Sequence, residues 1–230
     1  MIYQFRPSYN LKQQNGDLSI CHSIPVLYRF VEEKYIDEFL TSGRLMISTI
    51  RRCRQLENLR RIDPRESCYK YVFLWSDCET HVEAAFGENA FVLCCSLSQC
   101  VEHNEPHVYC IELHHWENLA VEIGRCLRQQ GFPIGEIFAG PCNYIAKSRV
   151  IDMRPMSSEF LQMHDGTIDI AKVDSILMAL GRSAFYTTKD VRFAKEQEYR
   201  ILWLSNSETP VDPVFVTIDH PERFACKVRL

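Results

Sequence analysis

Apolar residues recur along this chain with two periods, and each period predicts a type of element. Val31, Tyr35, Ile36, Phe39 and Leu40 fall on one helical face, which predicts a helix over 31–42 with Gly43 as its stop. Leu119, Ile123, Cys126 and Leu127 do the same over 116–130, ended by Gly131. A third helix is predicted over 169–180, with Gly181 after it. Runs rich in β-branched and aromatic residues predict strands at 24–30, 45–49, 69–75, 91–97, 108–113, 199–204, 214–218 and 224–228. Residues 137–145 are strand-like but broken at Gly140-Pro141. Residues 77–89 read as a polar loop, and residues 1–22, polar and aperiodic, as an N-terminal arm.

Strands outnumber helices and do not alternate with them, which favours α+β over a doubly wound sheet. The expectation is a single α+β domain over 23–230, with a split or mixed, mostly antiparallel sheet and three main helices. No repeat and no Gly-, Ser- or Pro-rich linker divides it. Its expected core is Leu27, Phe39, Leu45, Ile47, Phe91, Leu93, Ile111, Leu119, Ile123, Ile176, Tyr199, Ile201 and Trp203.

Composition narrows the class. With 230 residues and 46% hydrophobic residues, the chain can bury a sizeable core without staples, so disorder is excluded. A net charge of -4 argues against a general nucleic-acid binder. No apolar run approaches a membrane span, and the first residues lack a basic stretch followed by an apolar block. The eleven cysteines are odd in number and lack a framework spacing. They read as reduced thiols, and the expected location is the cytoplasm.

Common nucleotide-binding and hydrolase signatures are missing: no phosphate-binding loop, no G-x-G-x-x-G, no G-x-S-x-G and no H-E-x-x-H. The most informative segment runs from Phe193 to Trp203. Read as a strand, it sets Gln197, Tyr199, Ile201 and Trp203 on a core face and Glu196, Glu198 and Arg200 on the other. Two carboxylates beside a guanidinium can have their pKa values tuned for chemistry. A solvent-facing edge strand guarded by charges would read the same way. The basic stretch 50–67, with Arg51, Arg52, Arg54, Arg60, Arg61 and Arg65, reads either as a solvated face laced with ion pairs or as an anion-binding edge.

Two further segments join the late strand. Leu27-Tyr28-Arg29-Phe30 sets an arginine on the first strand, and Cys94-Cys95-Ser96-Leu97-Ser98 puts two serines on one face at a strand end. The order Arg29, Ser96-Leu97-Ser98, Glu196-Gln197-Glu198 resembles the arginine–serine–glutamate pattern of the ADP-ribosyltransferase superfamily. The resemblance implies that Arg29, Ser96 and Ser98 hold NAD, that Glu198 is the catalytic carboxylate, and that Glu196 orients the acceptor. The sequence departs from that pattern in having Phe30 after the arginine and Leu97 between the serines. A second resemblance covers about 27–203: Leu27-Tyr28-Arg29-Phe30, Ser42-Gly43-Arg44-Leu45, Asp63-Pro64-Arg65-Glu66 and Lys189 followed by Glu196-Gln197-Glu198-Tyr199-Arg200 are similar to a large uncharacterised bacterial family. Together they imply an NAD-using transferase, a bacterial toxin or phage-defence effector, with a protein or nucleic-acid acceptor and an antitoxin or immunity partner. The alternative is a non-catalytic binding module of such a system.

Two rival chemistries carry less. Cys95, Cys100, His103 and His107 are zinc-type ligands, but their spacing matches no common zinc pattern, and zinc is not expected. His114 and His115 are adjacent, so at a strand end they diverge and cannot chelate together. A cysteine–histidine nucleophile is weakened by the sheer number of cysteines available for chance pairing.

Overall fold

The computed structural model describes residues 2–5, 8–14, 17–23, 25–55, 68–85, 87–99, 109–145, 148–163, 167–179 and 187–230. Its strands in chain order are β1 (Ile2–Phe5), β2 (Ser8–Gln14), β3 (Asp17–Ser23), β4 (Leu27–Arg29), β5 (Arg44–Thr49), β6 (Cys68–Leu74), β7 (Glu79–Ala85) and β8 (Ala90–Ser96). Then come β9 (Tyr109–Leu113), β10 (Ile134–Pro141), β11 (Asn143–Ile145), β12 (Ser148–Asp152), β13 (Thr188–Asp190), β14 (Glu198–Ser205), β15 (Val214–Thr217) and β16 (Ala225–Arg229). The α-helices are α1 (Glu33–Ser42), α2 (Ile50–Gln55), α3 (Trp116–Gln129) and α4 (Ile170–Ala179). The architecture is α+β, and most of its strand pairs are antiparallel.

A nine-stranded sheet carries the fold, in the order β1-β10-β14-β8-β4-β9-β16. It forks at β8. Tyr28 of β4 pairs with Ser96 near one end of β8, while Ser48 and Thr49 of β5 pair with Val92 and Phe91 further along it. β15 extends the β5 branch. Smaller sheets are formed by β12-β6-β7, β11-β13 and the β2-β3 hairpin.

The two faces of the large sheet follow from the strand alternation. Tyr199, Ile201 and Trp203 of β14 point into the main core with Phe91, Leu93, Ile111 and Leu27. Against them pack Ile36 and Phe39 of α1 and Trp116, Leu119, Ile123 and Leu127 of α3. Two tryptophans tie their indole N–H to backbone here: Trp203 to the Ala120 carbonyl at 2.7 Å and Trp116 to the Pro25 carbonyl at 2.9 Å. Such bonds let a large apolar ring be buried without stranding its one donor. On the opposite face, Leu202, Leu204, Val92 and Phe138 form a smaller cluster with Ile50 of α2. A separate core of Tyr71, Phe73, Trp75, Leu161 and Val173 supports β6 and α4. Every residue of the expected core is buried in the main cluster except Ile176, whose side chain lies outside the described residues.

α1 ends where the sequence calls for it. Gly43 adopts φ 71° and returns its N–H to the Phe39 carbonyl at 2.8 Å. A Cβ there would sit 2.0 Å from the Ile218 carbonyl oxygen, so only glycine fits this turn.

Two expectations need correction or extension. Residues 79–85, within the stretch expected to be a loop, form β7, paired with β6 along its whole length. Its sequence, Glu-Thr-His-Val-Glu-Ala-Ala, is an outer strand with few apolar residues, so the usual signal is weak. Of the stretch read as an arm, Ile2–Phe5 pairs in parallel with β10, and β2 and β3 form a hairpin. Among the described residues, no helix is long and apolar enough to cross a membrane.

Candidate active site

Glu198 opens β14, and what precedes it fixes how it is held. Asp190 caps a short 3-10 helix, Val191–Glu196, by accepting the Arg192 N–H at 2.9 Å. Gln197 then takes a left-handed conformation, φ 45°, and turns the chain into β14. The expectation that Gln197 shares the core face with Tyr199 is therefore overturned: it is exposed, and Glu196 belongs to the helix rather than the strand. β14 is also no edge strand. It lies between β10 and β8, and all of its residues are buried.

Glu198 is 5% exposed and is clamped from both sides. Arg200 Nε donates to its Oε1 at 2.6 Å, and Lys189 Nζ donates to its Oε2 at 2.5 Å. Lys189 also donates to Glu196 Oε2 at 2.6 Å. Two carboxylates and two cations thus balance inside the protein, as buried charges require. Burial alone would push the Glu198 carboxyl up, but Arg200 and Lys189 overcome it and hold the group well below the usual carboxylate range. Burial pushes Glu196 up, and the nearby Lys189 only partly offsets that.

A second layer positions the clamp. β11 and β13 pair in parallel with Tyr144 opposite Lys189. The Tyr144 hydroxyl accepts the Glu198 backbone N–H at 2.7 Å, and the Glu198 carbonyl accepts the Cys142 N–H at 2.8 Å. The backbone of Glu198 is therefore fixed as firmly as its side chain.

Ser96 and Glu198 are direct cross-strand partners. The Ser96 hydroxyl donates to the Glu196 carbonyl at 2.9 Å and accepts the Ser98 N–H at 3.1 Å. Ser98 lies just past the end of β8 and is half-buried. Arg29 sits apart from the clamp. Leu27 of β4 points into the main core, and the alternation sends Arg29 the same way while Tyr28 takes the Ser96 face. Arg29 lies near the fork and donates Nη2 to the Met46 carbonyl of β5 at 3.0 Å. Its Nη1 is buried without a hydrogen-bond partner, and burial lowers its pKa.

Solvent reaches this sheet face at Cys94, the cross-strand partner of Arg200. Burial pushes the Cys94 thiol well up, with Glu198 adding to the effect, although the residue keeps an exposed surface. Its neighbour Cys95 points to the core, and burial pushes it up to about 12. Neither is an activated thiol at neutral pH.

The described part of the basic stretch is occupied by ion pairs. Arg51 meets Glu88 and Glu208, each at 3.0 Å, and Arg54 meets Glu88 at 2.5 Å. Arg60, Arg61 and Arg65 lie outside the described residues, as do Cys100, His103 and His107 of the zinc-type set.

The residues whose importance the sequence did not reveal are Tyr144 and Cys94, along with the structural role of Lys189. Lys189 carried a signal in the late block of the bacterial-family resemblance, but no role was attached to it. No protein-family model matches the chain, and neither a curated protein nor a solved structure matches it.

Proposed function

We propose that this chain is an ADP-ribosyltransferase-like enzyme that uses NAD as substrate. The reading rests on one observation above all. Three segments far apart in sequence fall on neighbouring strands β4, β8 and β14, with Tyr28, Ser96 and Glu198 in one register row and Arg29 next along. Arg29 faces the other side of the sheet from Glu198, so its part in the reading, holding the pyrophosphate through a buried Nη1 that lacks an acceptor, is carried by the resemblance and not by a shared face.

The chemistry follows from the clamp. Breaking the nicotinamide–ribose bond leaves positive charge on the ribose carbon. A carboxylate held ionised stabilises that charge more than it stabilises the ground state. Each Glu198 oxygen accepts one bond from a cation and keeps a further lone pair for a ribose hydroxyl. The ribose would approach from the side opened at Cys94. Glu196, less buried and shared with Lys189, is placed to orient the acceptor, a protein or a nucleic acid. A toxin or phage-defence role in the cytoplasm, with an antitoxin or immunity partner, belongs to the same proposal.

A second reading has its own observation. Ser96 already donates and accepts within the protein, and Glu198 is sealed between two cations. A non-catalytic binding module would use the same set as a folding lock. Calorimetry with NAD separates the two. The transferase reading expects saturable binding that weakens in Arg29→Met. Absence of binding at millimolar NAD favours the module.

A further inference from the structure

We propose that Glu112, His114 and Cys226 form a binding site for a zinc-like divalent cation at the β9–β16 edge of the large sheet. The three are brought together by ordinary sheet geometry. Cys226 of β16 is the cross-strand partner of Glu112 on β9, so both side chains leave the same face. His114 follows Glu112 by two residues. Its N–H bonds to the Phe224 carbonyl at 3.0 Å, which carries the β9–β16 ladder one step past Leu113 and keeps His114 on the Glu112 side. One ligand atom from each residue lies within 4.8 Å of the other two. That convergence uses His114 without His115, whose ring meets the His114 ring edge-on at 5.0 Å.

The donor set selects the class of ion. A thiolate, an imidazole nitrogen and a carboxylate oxygen suit zinc, whereas calcium and magnesium take oxygen ligands. Three protein ligands leave a fourth position, and Cys226 is exposed, so that position opens to solvent. Binding releases the Cys226 thiol proton, one per metal, with no change in oxidation state.

The site is separate from the clamp. Cys226, Glu112, Tyr28, Ser96 and Glu198 form one register row across five strands. Glu112 is three strand spacings from Glu198, about 14 Å. The metal would tie the edge strand β16 to β9 at the entry to α3, and this holds whether or not the chain uses NAD.

Cobalt(II) titration of the whole protein tests it, read by the near-ultraviolet thiolate-to-cobalt charge-transfer band and by competition with zinc. The expected result is one equivalent bound with a charge-transfer band and a raised melting temperature. Cys226→Ser should lose the band, and His114→Gln or Glu112→Gln should weaken binding by more than about tenfold, since even an outer-shell partner costs that much. Cys78→Ser and Cys94→Ser, at the other two exposed thiols described, should keep both band and affinity. No band in the wild type, or a band that survives Cys226→Ser, would overturn the proposal.

Discussion

Lys189 Nζ and Glu198 Oε2 meet at 2.5 Å inside the protein, joined across a helical turn and a left-handed residue. Both side chains are nearly inaccessible, at 6% and 5%. Removing one member of such a pair strands the other charge. Lys189→Met is therefore expected to destabilise the fold by about 3–5 kcal/mol. The double variant Lys189→Met/Glu198→Gln should cost clearly less than the sum of the single changes. Urea unfolding of the four proteins checks this, and additive losses would deny the coupling.

The acid side of the stability curve should report the same pair. Burial opposes ionisation of Glu198, but Arg200 and Lys189 win, so its folded pKa is depressed. Its stabilisation is therefore full above the unfolded value of about 4.3 and is lost as pH falls through the folded value. Glu196 is raised by burial, so its contribution runs the other way: full below about 4.3 and lost as pH rises through its folded value. The stability gap between wild type and Glu198→Gln should narrow below about pH 4. The gap between wild type and Glu196→Gln should shift in the opposite sense, above that pH.

Much of this was legible in the sequence. The alternation of Tyr199, Ile201 and Trp203 set the core face of β14, and Gly43 marked the end of α1. The chain before Glu198 was not legible, because a 3-10 helix and the positive φ of Gln197 break the period of two that Tyr199, Ile201 and Trp203 set. The partnership of Lys189 with Glu198 depends on β13 pairing with β11, a contact that no local pattern encodes. The Glu112–His114–Cys226 cluster was hidden for the same reason, since Cys226 arrives from the far end of the chain.

Arg29 should separate folding from binding. Arg29→Met loses one bond, to the Met46 carbonyl, and also removes an unsatisfied buried Nη1. Its folding stability is expected to stay within about 1 kcal/mol of wild type. Its NAD affinity should fall by about 1.5–3 kcal/mol, the range for a hydrogen bond to a charged group. Calorimetry and urea unfolding on the same sample check both halves.

Cys94 should report occupancy of the face it shares with Glu198. It is exposed, but its raised pKa makes it a slow thiol. Alkylation followed by mass spectrometry should mark it slowly in the free protein and more slowly still with saturating NAD. Exposed Cys226, at the far edge of the sheet, should show no such protection.

Nicotinamide release from NAD, measured on wild type and on Glu198→Asp, tests the proposed chemistry most directly. Aspartate keeps the charge between Arg200 and Lys189 while withdrawing the carboxylate, so the clamp survives and the reacting geometry does not. Folding at the assay temperature is confirmed by circular dichroism. The expected result is release by wild type and a fall of about 100-fold or more in Glu198→Asp, the order seen when one electrostatic stabiliser is lost. Wild-type protein that neither binds millimolar NAD nor releases nicotinamide would contradict the transferase, as would a folded Glu198→Asp protein with undiminished turnover.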